Sequence, residues 1–256
     1  MSVPFIPRYV FIVPYRDREE HLVFFKQYIK TIVEDFKKNT YRILYVHQRD
    51  TLPFNCGAMK NFGFKYIKET YPNYYKNIVL VFNDVDTMPY KKNLLNYNVK
   101  MGEIKHFYGH TFALGGIFSI LGDDFEKLNG FPNYWGWGFE DNVIYQRALS
   151  KNMNVNRSQF YGVRSREILH FYDDYQKKLD TTNVFKQSMN HYVEKNGLDS
   201  LTNYKYLFEP TSSMLHIQYF KCGYDPRHFK PHYHKVNDGT KIKIPKASPM
   251  MKMRFK

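Results

Sequence analysis

Two acidic motifs in this 256-residue chain have the residue types and spacing to do chemistry. The first is Asp84-Val85-Asp86, directly behind the apolar run Ile78-Val-Leu-Val-Phe82. Carboxylates at i and i+2 on the end of a strand can hold a divalent cation against a diphosphate. Hard ions such as Mg²⁺ and Mn²⁺ take oxygen ligands and complete their shells with water and phosphate oxygens. The second is Glu140-Asp141, which follows the turn Trp135-Gly-Trp-Gly138 and Phe139. A carboxylate beside an aromatic surface can take the proton of a sugar hydroxyl as that oxygen attacks. Together the motifs point to transfer of a sugar from a nucleotide diphosphate to a hydroxyl.

Three runs must position these groups: Tyr9-Val-Phe-Ile-Val13, Ile43-Leu-Tyr-Val46 and Ile78-Val-Leu-Val-Phe82. Each is short, rich in β-branched residues and continuously apolar, as strands buried on both faces of a parallel sheet are. Between them Leu22, Phe25, Ile29, Ile32, Val33 and Phe36 share one helical face, and Met59, Phe62, Tyr66 and Ile67 share another. The order β-α-β-α-β predicts a Rossmann-like half with right-handed crossovers. Ligands of such sheets bind off the carboxyl ends of the strands. Segments 14–18, 47–50 and 83–86 lie at such ends and should converge on one cleft. In the second half, 111–121 reads as a strand running through Gly115-Gly116, 123–128 as a short helix, and Glu140 or Asp141 as the start of a helix reaching about 150. Stretches 198–207 and 214–220 read as late strands. The economical division is one domain over 1–220 and a basic tail over 221–256.

Seven segments, in order, resemble the β-1,4-galactosyltransferase family. Val13-Pro-Tyr-Arg-Asp-Arg-Glu-Glu-His-Leu22 is similar to its nucleotide-binding Val-Pro-Phe-Arg-(Asn/Glu)-Arg segment. Phe54-Asn55 followed by Asn61-Phe-Gly-Phe64 is similar to its Phe-Asn-Arg…Asn-Val-Gly-Phe helix, with Cys56 where the family commonly has Arg. Asn83-Asp-Val-Asp86 resembles its metal motif and Gly115-Gly116 its Gly-Gly strand. Asn129-Gly-Phe-Pro-Asn-Tyr-Trp-Gly-Trp-Gly138 nearly reproduces the family pattern. Arg166-Glu-Ile-Leu-His170 sits where the family has a late His ligand, and Asn196-Gly-Leu-Asp-Ser-Leu201 resembles its closing turn. The resemblance covers about 10–207 and implies an inverting, metal-dependent transferase of GT-A fold: an α/β domain joining a Rossmann-like nucleotide-binding half to an acceptor-binding half.

The resemblance assigns roles residue by residue. Asp86 and His170 hold the metal, Mn²⁺, with Glu167 as third ligand. Galactosyl members usually have Met at that third position, and a carboxylate there would admit Mg²⁺ as well. The alternative is that Glu167 is merely exposed beside the site. Pro14, Arg16, Arg18, Phe54, Asp84 and Val85 hold the uracil, ribose and phosphates of a UDP-sugar, Arg being suited to forked hydrogen bonds with phosphate oxygens. Otherwise Arg16 and Arg18 pair with Glu19 and Glu20 on the surface. Gly116 and Ala113 border the donor sugar. Ala113 stands where galactosyl members have Tyr, so the larger space makes an N-acetylated donor such as UDP-GalNAc a candidate beside galactose. Asp141 is the catalytic base, Glu140 grips sugar hydroxyls, and Trp137 is a mobile wall between donor and acceptor, with Trp135 in packing. The bland reading of Glu140 and Asp141 is a helix cap. The family's Gly-Glu-Asp-Asp-Asp becomes Phe139-Glu-Asp-Asn-Val143, so Phe139 and Asn142 change the acceptor side and glucosamine-type specificity does not carry over.

Composition adds boundaries. The net charge is +14, and 221–256 alone hold ten basic and two acidic residues. That tail either docks peripherally on an acidic surface or is a solvated end; no nucleic-acid motif accompanies the charge. His228, His232 and His234 either bind metal or belong to this polar tail. Cys56 and Cys222 make no disulfide framework. No run reaches the roughly 18–20 apolar residues of a membrane span, and the start lacks a signal-peptide pattern. The expectation is a cytoplasmic protein of a microbe or virus, acting on a glycan or glycoprotein. The competing class is a non-catalytic sugar-binding relative that has kept the fold.

Overall fold

The computed structural model describes residues 5–171, 176–180, 196–228 and 231–235, with backbone alone at 176–180, 228 and 231–235. The elements, in chain order, are β1 (Tyr9–Tyr15), α1 (Glu19–Ile32), β2 (Tyr41–Gln48), α2 (Cys56–Thr70), β3 (Val79–Asn83), β4 (Thr87–Pro89), β5 (Glu103–Gly109) and β6 (Ile117–Leu121). There follow α3 (Gly122–Lys127), α4 (Glu140–Ser150), β7 (Asn154–Asn156), β8 (Tyr161–Gly162), β9 (Ile168–His170), β10 (Gln176–Asp180), β11 (Thr202–Glu209), β12 (Met214–Lys221) and β13 (Pro231–Lys235).

The three apolar runs form adjacent parallel strands. β1 is central, pairing with β2 from Tyr9↔Tyr41 to Tyr15↔His47 and with β3 from Tyr9↔Val79 to Ile12↔Phe82. The whole sheet has nine strands in the order β11-β12-β2-β1-β3-β6-β5-β7, with β8 also on β5. β12 joins β2 in parallel, whereas β6 runs antiparallel to both β3 and β5. Alternation along β1 explains why its sequence is apolar throughout. Val10 and Ile12 face a core shared with Ala58, Met59 and Phe62 of α2, while Phe11 and Val13 face one shared with Leu22, Phe25 and Ile29 of α1. Helices thus cover both faces of the sheet, and the continuous runs are strands without a wet side.

Three expectations need correction. The strand through Gly115-Gly116 begins only at Ile117. Upstream, Leu114 N–H donates to the Asp141 carbonyl at 2.9 Å and Gly116 adopts φ +68, so the chain has left the sheet ladder to meet the start of α4. The late strand begins at Thr202, because residues Leu198–Ser200 form a 3₁₀ turn held by Asn129. Helix α1 stops at Ile32, although Phe36 still packs on Tyr9 and Tyr41. The short helix after β6 and the helix from Glu140 to Ser150 stand where expected.

Past residue 220 the chain continues in β12 to Lys221, and the described segment Pro231–Lys235 pairs antiparallel with Gln176–Asp180. The side chains of His228, His232 and His234, and the basic segment 236–256, lie outside the described residues. Among the described residues no helix is long and apolar enough to cross a membrane, and both cysteines are free.

Candidate active site

The carboxyl ends of β1, β2 and β3 do converge. Arg16, just past β1, lies 3.5 Å from Asp50 past β2, and its guanidinium donates to the Leu52 carbonyl. Arg18 donates to Asp86 Oδ2 at 2.5 Å. Both arginines therefore point across the strand ends, and neither is engaged with Glu19 or Glu20 through these contacts. Pro14 and Val85 are buried, and Phe54 is half-buried with its carbonyl accepting from Gly136 N–H at 3.0 Å. That bond ties the start of α2 to the Trp-Gly-Trp-Gly turn.

The Asp84-Val85-Asp86 turn is braced from inside. Asn83 is fully buried, and its amide donates to the carbonyls of Asp84 at 2.9 Å and Thr87 at 2.8 Å. Asp84 N–H donates to the Gly116 carbonyl at 3.1 Å. Gly116 cannot be replaced without cost, since a Cβ there would meet the Tyr108 carbonyl at 2.6 Å in a backbone with positive φ. Gly116 thus holds the backbone of the Asp84 turn through its carbonyl.

The acidic block behind the tryptophans arrives from the other side. Helix α4 opens at Phe139, whose φ of 63 places a bulky residue in the left-handed region. Non-glycine residues rarely rest there, and such strain collects at functional sites. Glu140 is buried and accepts from Gly138 N–H at 3.2 Å, which is part of a cap. Asp141 does something a cap does not: it pairs across the chain with Lys60 Nζ at 3.1 Å. Asn142 donates to the Phe112 carbonyl at 3.2 Å, linking α4 to the loop before Gly115. Trp137 is 39% exposed, whereas Trp135 is buried, stacked on Phe220 and donating to the Tyr224 carbonyl at 2.8 Å. Ala113 is buried two residues before the glycine pair.

Lys60 is the residue that sequence reading missed. Its side chain is 2% exposed, and its ammonium lies 3.1 Å from Asp141 and 3.4 Å from Asp84, over the Phe131 ring at 4.7 Å. The available signal was a lysine between Met59 and Asn61-Phe62 in a helical segment of mostly apolar and small residues; in the structure residues 57–64 are all buried. Burial alone would discharge Lys60, but the Asp141 and Asp84 carboxylates hold its ammonium well above the ordinary lysine range. Asp141 responds in the opposite sense. Its side chain is 27% exposed. Burial lifts its carboxyl, Lys60 pulls it down, and Glu140 and Asp84 push it up, the net being a rise from 3.8 to about 7. A carboxylate titrating near neutrality can accept a proton efficiently.

The residues expected to bind a metal are only partly brought together. β4 and β9 pair antiparallel with Thr87 opposite His170, and Phe171 N–H donates to the Asp86 carbonyl at 2.9 Å, so Asp86 and His170 stand on neighbouring strand ends. The Tyr108 hydroxyl lies 2.7 Å from His170 Nδ1. If Nδ1 carries the proton and donates to Tyr108, Nε2 keeps its lone pair for an ion. Glu167 is exposed and takes the Ser165 hydroxyl instead. Among the described residues no group of three His, Cys, Asp or Glu is gathered closely enough to hold a metal. The donor chemistry of Asp86 and His170 fits a divalent ion, and the Arg18 guanidinium already supplies positive charge to Asp86; Glu167 is not brought to them.

Comparison with known proteins places this arrangement. One family profile, described as the N-terminal region of glycosyl transferase group 7, matches residues 6–98, and a second, described as the N-terminal domain of galactosyltransferase, matches 97–174. Beta-1,4-galactosyltransferase 7 of Drosophila melanogaster is 29% identical over 210 residues, 77% of this chain and 62% of the relative. Beta-1,4-galactosyltransferase 1 of Mus musculus is 31% identical over 209 residues, 77% of this chain and 50% of the relative. The chain therefore spans about half to three-fifths of the length of these relatives. The crystal structure of the catalytic domain of the Drosophila enzyme in complex with xylobiose superposes with a TM-score of 0.69 at 21% identity, over 88% of this chain and 98% of that one. A mutant of that enzyme in complex with manganese, UDP-Gal and xylobiose gives a TM-score of 0.67 at 22% identity. The fold is GT-A, and the chain belongs to glycosyltransferase family 7, the β-1,4-galactosyltransferase family.

Proposed function

We propose that this chain is a metal-dependent, inverting glycosyltransferase that moves galactose or an N-acetylhexosamine from a UDP-sugar to a sugar hydroxyl of a glycan or glycoconjugate. The observation that carries the reading is the placement of Asp141. It is a partly exposed carboxylate joined through the Lys60 ammonium to the Asp84 turn at the carboxyl ends of the parallel strands, and burial raises its pKa above the ordinary carboxylate range. The relatives' names support the reaction class, and the structure of one relative with manganese, UDP-Gal and xylobiose supports the donor type.

Asp141 takes the proton of the attacking hydroxyl as its oxygen bonds to the anomeric carbon. The bond from that carbon to the diphosphate oxygen breaks, and UDP leaves with the electron pair. Attack from the face opposite the leaving group inverts the anomeric centre. Arg16 and Arg18 bind the diphosphate, with Pro14, Phe54, Asp84 and Val85 around the nucleoside. Gly116 and Ala113 border the donor sugar; Glu140 grips hydroxyls of the acceptor sugar. Trp137, between Gly136 and Gly138, forms the wall between donor and acceptor, with Phe139 and Asn142 on the acceptor side. A general base of this kind contributes about 10²–10⁴-fold in rate.

Asp86 and His170 would hold a divalent ion, Mn²⁺ by their mixed oxygen and nitrogen donors, and when bound it neutralises charge on the departing diphosphate. Glu167 would join them by exchanging Ser165 for the ion, and its hard oxygen would admit Mg²⁺ as well.

The test is UDP release from a panel of UDP-sugars with Mn²⁺ or Mg²⁺, with and without xylosides and other simple acceptors. Release from one donor, abolished by chelator and by Asp86→Ala, is the expected result. Absence of release from every donor and acceptor, with UDP–Mn²⁺ binding intact, would favour a sugar-binding relative without catalysis.

A further inference from the structure

Lys60 is a buried cation held between two carboxylates that the proposed reaction uses for different tasks. Asp84 comes from the turn after β3 and Asp141 from the first turn of α4, and the two segments otherwise meet through the backbone of the glycine pair. Lys60 reaches both from α2, at 3.4 and 3.1 Å, with its ammonium over the Phe131 ring at 4.7 Å. The side chain has almost no contact with solvent, so its geometry is set by packing and not by a mobile surface stem.

We propose that Lys60 is a positioning residue of the transfer reaction: it orients the Asp141 carboxylate and keeps it ionised, and it couples that carboxylate to the donor-side turn through Asp84. The inference rests on Asp141 being the base. The groups facing Asp141 are Lys60 and the Cys56 thiol from α2, Asp84 from the β3 end, Glu140 from α4 itself, and the backbone of Gly115. Of these, Lys60 is the cation; Asp84 and Glu140 are acidic and oppose ionisation of Asp141. Without Lys60, three carboxyl groups would crowd one site, and Asp141, already lifted by burial, would lose the charge that pulls it down and be pushed further towards its protonated form. A protonated Asp141 cannot take a proton from the acceptor. The buried ammonium therefore sets the pH range in which the base works, and its fixed stem sets where the base points.

The experiment is a pH–rate profile of the full chain with Mn²⁺, donor and acceptor, for wild type, Lys60→Met and Lys60→Gln, with thermal unfolding and UDP–Mn²⁺ affinity measured alongside. Lys60→Gln keeps a hydrogen-bond donor and loses the charge, so it carries the same readout should Lys60→Met fail to fold. The expected result is a fall in kcat of about tenfold or more at neutral pH, with the acidic limb moved up by about 1–3 pH units. Activity is then partly recovered as the pH rises. UDP–Mn²⁺ affinity changes little. A lysine that only stabilises the fold would lower the unfolding temperature and leave the limb where it is, and that outcome would overturn the proposal. A wild-type chain without transferase activity would instead remove the reading on which it rests.

Discussion

The Asp141 carboxylate rests against the bare Cα of Gly115: a Cβ built on that glycine would stand 2.5 Å from Asp141 Oδ2. The backbone of Gly115 is not in the left-handed region, so an added methyl is opposed by Asp141 and not by its own conformation. The methyl would push the carboxylate off Lys60. Gly115→Ala is therefore expected to reduce kcat by roughly 10–10²-fold, the scale of a misplaced catalytic group. The unfolding temperature should stay close to wild type. Steady-state kinetics beside thermal unfolding checks this; an unchanged kcat would show that Asp141 has room the structure denies it.

The acid limb of the reaction follows from Asp141. Its carboxyl is lifted to about 7, mainly by burial, and only the ionised form can accept a proton. Activity should therefore be low at pH 5–6, rise through about pH 7 and level above it. In Asp141→Asn the limb should vanish with the activity, while UDP–Mn²⁺ still binds. A wild-type rate independent of pH between about 5 and 8 would exclude Asp141 as the titrating base.

Tyr108 has a role that can be separated from the fold. Its hydroxyl lies 2.7 Å from His170 Nδ1, and its ring is buried on the β5 strand. Partners of this kind set the tautomer and aim of a metal-bound imidazole, and their loss costs about 10–100-fold in metal affinity. Tyr108→Phe should raise the Mn²⁺ concentration needed for half-maximal UDP release by that factor and cost about 1 kcal/mol of stability. Titration of chelator-treated enzyme with Mn²⁺ gives the answer. An unaltered Mn²⁺ requirement would detach His170 from the metal.

Ala113 tests the donor. It is buried two residues before the glycine pair, and in the proposed reading a larger side chain there fills space beside the donor sugar. Ala113→Tyr should shift preference from an N-acetylhexosamine towards galactose by about tenfold or more in kcat/KM, the scale of a steric change in a sugar pocket. Competition between the two UDP-sugars measures it, with thermal unfolding as the check on folding. The same preference in both proteins would move donor selection to other residues.

The parallel half of the fold was legible because its signals are local. Val10 to Val13 read as a doubly buried strand, and their side chains do alternate between the α1 and α2 cores. Asp84, Asp86 and Asp141 stood out as candidates because each stands in a short motif of distinctive composition. Lys60 was not, because its importance arises only where α2 carries it to carboxylates 24 and 81 positions away in sequence. Tyr108 was hidden for the same reason, since β5 brings it to His170 across 62 positions. Glu167 illustrates the converse. The resemblance made it a third metal ligand beside His170; in the structure Ile168 is the first residue of β9 and Glu167, outside the strand, takes the Ser165 hydroxyl. The strand expected from 111 failed because Gly115-Gly116 serves the meeting of Asp84 and Asp141 and not the sheet ladder.

The central claim is that this chain transfers a sugar with Asp141 as base. It is tested most directly by incubating an α-linked UDP-sugar, Mn²⁺ and a panel of sugar acceptors with wild type and with Asp141→Asn, and reading the product linkage by NMR. The account predicts a β-linked product from wild type and about 10²–10⁴-fold less from the variant, with UDP–Mn²⁺ binding equal in both. An α-linked product, or equal transfer by the variant, would contradict it.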